Sequence, residues 1–461
     1  MSFRHDDRVM ITDLIERYDR RVPRYTSYPT APHFTADITA ARYRQWLSEL
    51  ESNDPVSLYL HVPFCREMCW YCGCNTRATR RHEPIAAYHQ RLLAEIDLMA
   101  SALPATMTAS HIHFGGGSPN MLTPDEFTAV MARLRSAYNL TDGAEIAVEI
   151  DPRTTTDAFI DACAASGVTR FSLGVQDLNA AVQEAVNRIQ PFDTIARIAA
   201  RAKAQGVTDI NIDLMYGLPG QTAENILATI DKALTLEPSR VALFGYAHVP
   251  WMKPHMRLID ESILPDAASR WKQSTFAKDR LAAHGYVAVG MDHFARPDTL
   301  LATAAAAKTL RRNFQGYTTD AATTLLGFGA SAIGQTPRGY VQNDADIRRW
   351  GTTIDSGEFA IAKGRETTPD DHMRRDIIER LMCDMTVDAE AVALQHGFEL
   401  ADILDSLAAL TPMVADGLVV VDGPLVTMTE KGEPLVRAAA AAFDRYLDKS
   451  DAPSPRHARA V

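Results

Sequence analysis

No stretch of this 461-residue chain is apolar over the roughly 18 residues that a membrane-spanning helix needs, so no membrane span is expected. An excess of positive charge is also missing: 47 Lys and Arg stand against 58 Asp and Glu, a net charge of −11. A nucleic-acid partner would call for a basic stripe, and none is present. The opening MSFRHDDRVMITDLIERYDRR is charged and lacks the apolar core of a secretory signal. Cysteine is scarce, and four of its six residues fall within ten positions, too close together to cross-link a fold of this length. Clustered thiols without a secretion signal point to a reducing, cytoplasmic setting. The Pro/Ser/Arg-rich tail SDAPSPRHARAV is expected to fray.

What is present begins with that cluster, Cys65-Arg-Glu-Met-Cys69-Trp-Tyr71-Cys72-Gly-Cys74, in which three thiols are spaced C-x3-C-x2-C. Zinc sites usually hold two ligand pairs a dozen or more residues apart, so a single tight loop after a strand suits an iron–sulfur cluster better. Three ligands leave one iron of a cubane open for chemistry. Cys163 and Cys383 lie in helical patterns and read as inert core thiols.

Six β-rich runs alternate with helical stretches: 57–62, 111–114, 145–150, 170–175, 209–217 and 240–249. This alternation predicts an α/β fold with a parallel sheet, and the runs read as near-continuously apolar, as in strands covered on both faces. Polar residues collect at the strand C-termini: His61, Gly115–Ser118, Glu149 with Asp151, Gln176, Asp213 and His248. Sites are built on that rim in β/α barrels, so a partial barrel is favoured over an open sheet. A seventh candidate strand covers 286–291, and the pattern breaks near 364–371. Beyond the break come helices and a hairpin through Asp422-Gly423-Pro424, read as a small winged-helix-like cap. The expected division is an N-terminal extension over 1–52, a catalytic partial barrel over 53–364 and a helical domain with its hairpin over 365–461. Taken singly, Glu149, Gln176, Arg188 and Asp213 are ambiguous between ion-pair partners and site residues. His61, His248 and His293 read as packed, hydrogen-bonded histidines.

Cys65-x3-Cys69-x-Tyr71-Cys72 after one strand and Gly115-Gly-Gly-Ser-Pro119 after the next resemble the radical S-adenosylmethionine (SAM) superfamily. Within it the chain is similar to the oxygen-independent coproporphyrinogen III oxidase family. That likeness is carried by Pro23-Arg-Tyr-Thr-Ser-Tyr-Pro-Thr-Ala31, Gly73-Cys74, Val148-Glu-Ile-Asp-Pro152, Gly174-Val-Gln-Asp177 and Asp213-Leu-Met-Tyr-Gly-Leu-Pro219. Tyr246-Ala-His248, Met291-Asp-His-Phe-Ala-Arg-Pro297 and Asn313-Phe-Gln-Gly-Tyr-Thr-Thr319 extend it.

The resemblance implies a radical SAM partial (β/α)6 barrel with a 4Fe–4S cluster on Cys65, Cys69 and Cys72. It implies two SAM molecules, the first held by Tyr59, Gly116, Glu149 and Ile333, the second by Tyr71, Gly117, Ser118, Gln176, Arg188, Asp213 and Ala247. Tyr71 replaces a common phenylalanine and Ser118 a common threonine, keeping the ring and the hydroxyl. Cys74, not a cluster ligand in the family, and Tyr59 are the catalytic candidates. The implied reaction converts two propionates of coproporphyrinogen III to vinyl groups, giving protoporphyrinogen IX of the haem pathway. Its electron would come from a flavodoxin or ferredoxin system, and the expected enzyme is a monomer. Four substrate carboxylates require cations, and Arg24, Arg296, Arg311 and Arg312 lie in or beside the segments that set the family apart. The alternative is a haem-binding, haem-trafficking chaperone of the same superfamily. Such proteins lack the fourth cysteine, which is present here as Cys74.

Overall fold

The computed structural model describes residues 13, 14 and 17–447, so the tail expected to fray lies outside the described residues. Strands β1 (Val56–Val62), β2 (Thr108–Gly116), β3 (Asn139–Ile150), β4 (Arg170–Gln176), β5 (Asp209–Tyr216) and β6 (Arg240–Gly245) fall on the six expected runs. They lie side by side in chain order, all parallel. The last run ends at Gly245, four residues short of its expected end, and continues as a loop.

These strands are not apolar on both faces, as expected from sequence; they alternate. Leu58, Leu60 and Val62, Ile112 and Phe114, Ile146, Val148 and Ile150, Phe171 and Leu173, Ile210 and Ile212 all join one buried apolar core. The outer helices close that core: α1 (Glu83–Ala102), α2 (Pro124–Ala137), α3 (Asp157–Ala165), α4 (Phe192–Ala204) and α5 (Ala223–Leu234). Each offers an apolar stripe, and α2 starts with a Thr123/Glu126 capping box that fixes where it begins. The intervening strand residues Ser57, His111, His113, Glu145, Glu149, Arg170, Ser172, Asn211, Asp213 and Arg240 face a shared interior cavity of about 160 Å³. A single cavity lined by alternate residues of all six strands means the sheet curls into a partial barrel with a polar shaft.

Six further strands extend the sheet: β7 (Val287–Val289), β8 (His293–Ala295), β9 (Thr324–Phe328), β10 (Ile333–Thr336), β11 (Gly339–Asn343) and β12 (Ile361–Glu366). The full order is β12-β11-β10-β9-β1-β2-β3-β4-β5-β6-β8-β7. The expected seventh strand is β7, but it is a short edge strand antiparallel to β8. The seventh parallel strand is β9, which enters beside β1. It is tied to α1 by buried Glu95, which accepts from Gly329 N (2.6 Å), Asn343 Nδ2 (2.7 Å) and Trp350 Nε1 (3.2 Å).

A second apolar core forms around helix α7 (Pro369–Asp384) and includes the hairpin Val419–Asp422/Leu425–Met428, which pairs with Thr386–Asp388. Tyr25 and Tyr28 of the N-terminal segment and Trp271 of helix α6 (Ala267–Ala283) are buried in it. By contrast Tyr43, Trp46 and Leu47, on the helix Ala40–Ser48, pack into the barrel's core.

Candidate active site

The cysteine loop leaves β1 and is pinned from all sides. Arg77 N donates to Pro63 O (2.9 Å) and Thr79 N to Cys65 O (2.8 Å), closing the loop on its own stem. Asn187, at φ 53°, donates to Met68 O (2.8 Å), and Trp70 N donates to Val186 O (3.0 Å). From the loop after β6, His255 Nε2 lies 2.8 Å from Cys72 O and Lys253 Nζ donates to Cys74 O (2.9 Å).

Three of the four sulfurs face donors. Thr76 Oγ1 donates to Cys65 Sγ (3.3 Å), Arg153 Nη2 (3.2 Å) and Arg188 Nη1 (3.5 Å) donate to Cys69 Sγ, and Cys74 N donates to Cys72 Sγ (3.4 Å). The Cys74 thiol bonds to the same sulfur and, against the effect of burial, holds the Cys72 thiol down at about 6; His255 and Lys253 help. Cys74 itself is pushed up by that bond and by burial. Burial takes Cys65 up to about 11, a barrier that iron removes by deprotonating a thiol outright on coordination. Donors aimed at Cys65, Cys69 and Cys72 suit iron-bound thiolates, so these residues fit a 4Fe–4S cluster. Among the described residues no three His, Cys, Asp or Glu side chains gather around a point fit for one metal ion. Cys163 and Cys383 are buried in apolar cores, as read from sequence.

Beside the loop lies the glycine turn. A Cβ on Gly115 would come 3.0 Å from the Glu149 carboxylate, and one on Gly116 (φ 114°) 2.8 Å from the His61 ring. On Gly117 it would strike Thr76 and come 2.6 Å from Phe64 O. The three glycines therefore let the rim close on β1 and on the cysteine loop. Glu149 lies 2.9 Å from His113 Nε2. Burial opposes its ionisation, but His113, His61 and the Gly116 N–H outweigh burial and hold its carboxyl below the usual range. Tyr59 OH reaches His61 Nδ1 (3.0 Å), and the Tyr59 ring leans on His113 (5.9 Å). Tyr59 pairs in register with Gly327, against which Ile333 O packs. Tyr59, Gly116, Glu149 and Ile333, 274 residues apart in sequence at their extremes, thus share one corner.

The second set is spread more widely. A Cβ on Gly174 would lie 3.0 Å from Arg188 Nη2 and 3.1 Å from Gln176 Nε2, so those two side chains meet over bare backbone. Gln176 adopts φ 67°, a strained value for a residue other than glycine. Buried Arg188 donates to Gly174 O and lies 3.4 Å from Asp151, yet its Nε has no partner among the described residues. Tyr71 packs with Tyr246, Val182 and Val186. Ser118 is buried and donates to Asn120 Oδ1 (2.6 Å). Asp213 sits at the rim end of the shaft, where burial and the Glu149 charge raise it to about 6 against bonds from Asn211 and Ser172. Ala247 stands apart, in the wall of a chamber of about 920 Å³.

That chamber lies between the β6 rim, the N-terminal segment and the C-terminal domain. Aromatic Tyr216, Tyr246 and Trp271 share its wall with Arg24, Arg270 and Arg437. Of the four arginines marked from sequence, Arg24 alone lines it. Arg296 is paired with Asp298 (2.8 Å) and Arg311 with Glu379 (3.0 Å) at the surface, while Arg312 is buried over the Tyr317 ring, 4.0 Å from Asp292. His61, His248 and His293 are all hydrogen-bonded: His61 lies 2.9 Å from Asn75 O, His248 2.7 Å from Tyr246 OH and His293 2.7 Å from Asp292. Sequence reasoning missed His113, Arg153, Lys253 and His255. The first was legible, because His111-Ile-His113-Phe alternates; the others had no local signal.

The sequence model of the radical SAM superfamily matches residues 59–233, and that of the HemN C-terminal domain matches 367–435. The oxygen-independent coproporphyrinogen III oxidase of Bradyrhizobium diazoefficiens is 48% identical over 98% of this chain and 100% of its own. That of Paracoccus denitrificans is 42% identical over 93% of this chain and 95% of its own. Among solved structures, coproporphyrinogen III oxidase (HemN) from Escherichia coli, described as a radical SAM enzyme, superposes with a TM-score of 0.88. It is 37% identical and is matched over 95% of this chain and 99% of its own. With a cysteine loop, a glycine rim and a C-terminal domain all in the matched regions, the chain belongs to the oxygen-independent coproporphyrinogen III oxidase family of radical SAM enzymes.

Proposed function

We propose that the chain performs the anaerobic oxidative decarboxylation of two propionate side chains of coproporphyrinogen III, giving the vinyl groups of protoporphyrinogen IX. The observation that carries this reading is full-length similarity to coproporphyrinogen III oxidases over both the cysteine loop and the C-terminal domain. When bound, the 4Fe–4S cluster and SAM supply the 5′-deoxyadenosyl radical that takes a hydrogen from an unactivated propionate carbon, which no side-chain acid or base can do.

The protein's own part is to hold, orient and shield. Cys65, Cys69 and Cys72 would carry the cluster, with Thr76, Arg153, Arg188 and Cys74 orienting and stabilising their thiolates. Tyr59, Gly116, Glu149 and Ile333 would hold one SAM, with the Glu149 carboxylate ionised to take its ammonium group. Tyr71, Gly117, Ser118, Gln176, Arg188, Asp213 and Ala247 would hold a second, with the Arg188 Nε as a donor still to be satisfied. Two reacting propionates give two SAM molecules a use. The chamber would take the tetrapyrrole: its aromatic wall suits the ring, and Arg24, Arg270 and Arg437 suit the carboxylates. The extension over 1–52 would serve the substrate through Arg24, the barrel over 53–364 would do the chemistry, and the domain over 365–461 would close the chamber. No helix among the described residues is long and apolar enough to cross a membrane. We expect a monomer in the cytoplasm, reduced by a flavodoxin or ferredoxin system; a reducing compartment suits the free thiols of the cysteine loop.

The haem-carrying alternative is not favoured, because Cys74 is present and its backbone N–H hydrogen-bonds to Cys72 Sγ. The test is anaerobic. Reconstituted protein with SAM, a reductant and coproporphyrinogen III is expected to yield protoporphyrinogen IX; stable haem binding without decarboxylation would refute the reading. Cys74→Ser is expected to keep the cluster absorbance and lose turnover.

A further inference from the structure

The cysteine loop also borders a second depression, a groove of about 280 Å³ lined by Asn75, Thr76, Arg77, Ile347 and Arg348 among others. It shares no residue with the chamber and lies on the β1 side of the sheet, whereas the chamber lies at β6. We propose that this groove is where the protein that reduces the cluster docks, a small acidic one-electron carrier. The inference rests on the reading that Cys65, Cys69 and Cys72 hold the cluster.

Proximity is the first argument. Thr76, in the groove's lining, donates to Cys65 Sγ at 3.3 Å, so one hydroxyl separates the groove from a ligand sulfur. Arg77 pairs in register with Phe64, and its neighbour Ala78 with Cys65. An electron needs close approach but no opening, so a carrier seated here reaches the cluster without entering the chamber.

Charge is the second argument. The chain is net acidic at −11, yet residues 65–83 and 344–349 hold six arginines against four carboxylates. Arg80, Arg81 and Arg349 are paired with Glu67, Glu83 and Asp344. Asp346 is taken up capping the helix Ile347–Asp355. The Arg66, Arg77 and Arg348 side chains are exposed and make no hydrogen bond or ion pair among the described residues. Of these, Arg77 and Arg348 line the groove beside the capping Asp346, and unpaired guanidinium groups so placed in an acidic protein steer an acidic partner to that spot. The step balances simply: the carrier is oxidised by one electron, the cluster is reduced by one, and no bond or proton moves.

The experiment compares two reductants on cluster-loaded protein, following the loss of iron–sulfur absorbance by stopped flow. Photoreduced flavodoxin is the acidic protein probe, and photoreduced 5-deazaflavin the small uncharged control. For Arg77→Glu/Arg348→Glu, flavodoxin is expected to act at least about tenfold more slowly than on the parent protein, with the deazaflavin rate unchanged. The parent's flavodoxin rate should also fall as salt is raised. Equal flavodoxin rates in variant and parent, or equal slowing with both reductants, would overturn the proposal. Should the double variant lose the cluster, Arg348→Glu, outside the loop, decides by the same criteria. Failure of the parent protein to assemble a cluster is a separate result, one that refutes the cysteine assignment instead.

Discussion

The inner face of the barrel carries polar residues along its whole length, but the shaft and the rim use them differently. In the shaft, charge is neutralised by charge. Glu145 meets Arg170 (2.7 Å) and Arg240 (3.4 Å), and Arg240 also meets Asp209 (2.8 Å). At the rim, groups are left with capacity to spare. Among the described residues Asp213 accepts hydrogen bonds only from the neutral Asn211 and Ser172, Arg188 has a buried Nε without a partner, and three cysteine sulfurs draw N–H and O–H donors. A compensated network holds the sheet; an incompletely compensated one is ready for a ligand.

The sharpest way to break this contrast is at the rim's glycines. Gly117→Ala drives a methyl into Thr76 and the Phe64 backbone, whereas Gly73, in the cysteine loop itself, has nothing within 4 Å of its added Cβ. Gly117→Ala is expected to abolish cluster retention and activity, and Gly73→Ala to keep the cluster, read by iron content and absorbance. If both retain it, the glycine rim does not shape the loop.

The shaft predicts a stability effect. Although burial raises it, Glu145 is brought down to about 2 by Arg170 and Arg240. A carboxyl depressed on folding stabilises the protein above its unfolded value near 4.5 and loses that contribution as pH falls towards 2. Glu145→Gln should therefore cost about 3 kcal/mol at pH 7 in denaturant melts and flatten the acid limb below about pH 4.5. An unchanged acid limb would show that the shaft's ion pairs do not set acid stability.

The smallest effect concerns Asp213. Raised to about 6, it is ionised above that pH and neutral below. SAM is cationic at its sulfonium, so its binding is expected to tighten as pH rises from 5 to 7, by about tenfold, the worth of one charge-assisted hydrogen bond. In Asp213→Asn that pH dependence should vanish, which equilibrium dialysis with labelled SAM would read. A dependence that persists would return Asp213 to the structural network of the shaft.

Much of this was legible in the chain. The six parallel strands fall on six β-rich runs because a strand's covering helix follows it directly in sequence. The polar inner face was legible too, in Ser57, Tyr59 and His61 or Glu145 and Glu149 at alternate positions, though reading the runs as continuously apolar hid it. The entry of β9 beside β1 was not legible, since their pairing joins segments more than 260 residues apart and depends on Glu95 and Tyr88 in α1 reaching the turn after β9. Arg296 and Arg311 stand in or beside family-specific segments but face outward to carboxylates; no local pattern distinguishes an arginine that lines a chamber from one that lines the surface.

The sequence by itself determined the strand–helix order and the three-thiol spacing, because each is a property of neighbouring residues. Only the tertiary structure decided that the Cys74 N–H hydrogen-bonds to Cys72 Sγ, that Arg153 and Arg188 reach Cys69, and that Arg24, Arg270 and Arg437 share one chamber. Those meetings bring together side chains from separate strands, loops and domains, and the energies that set them belong to packing between elements rather than to any one of them.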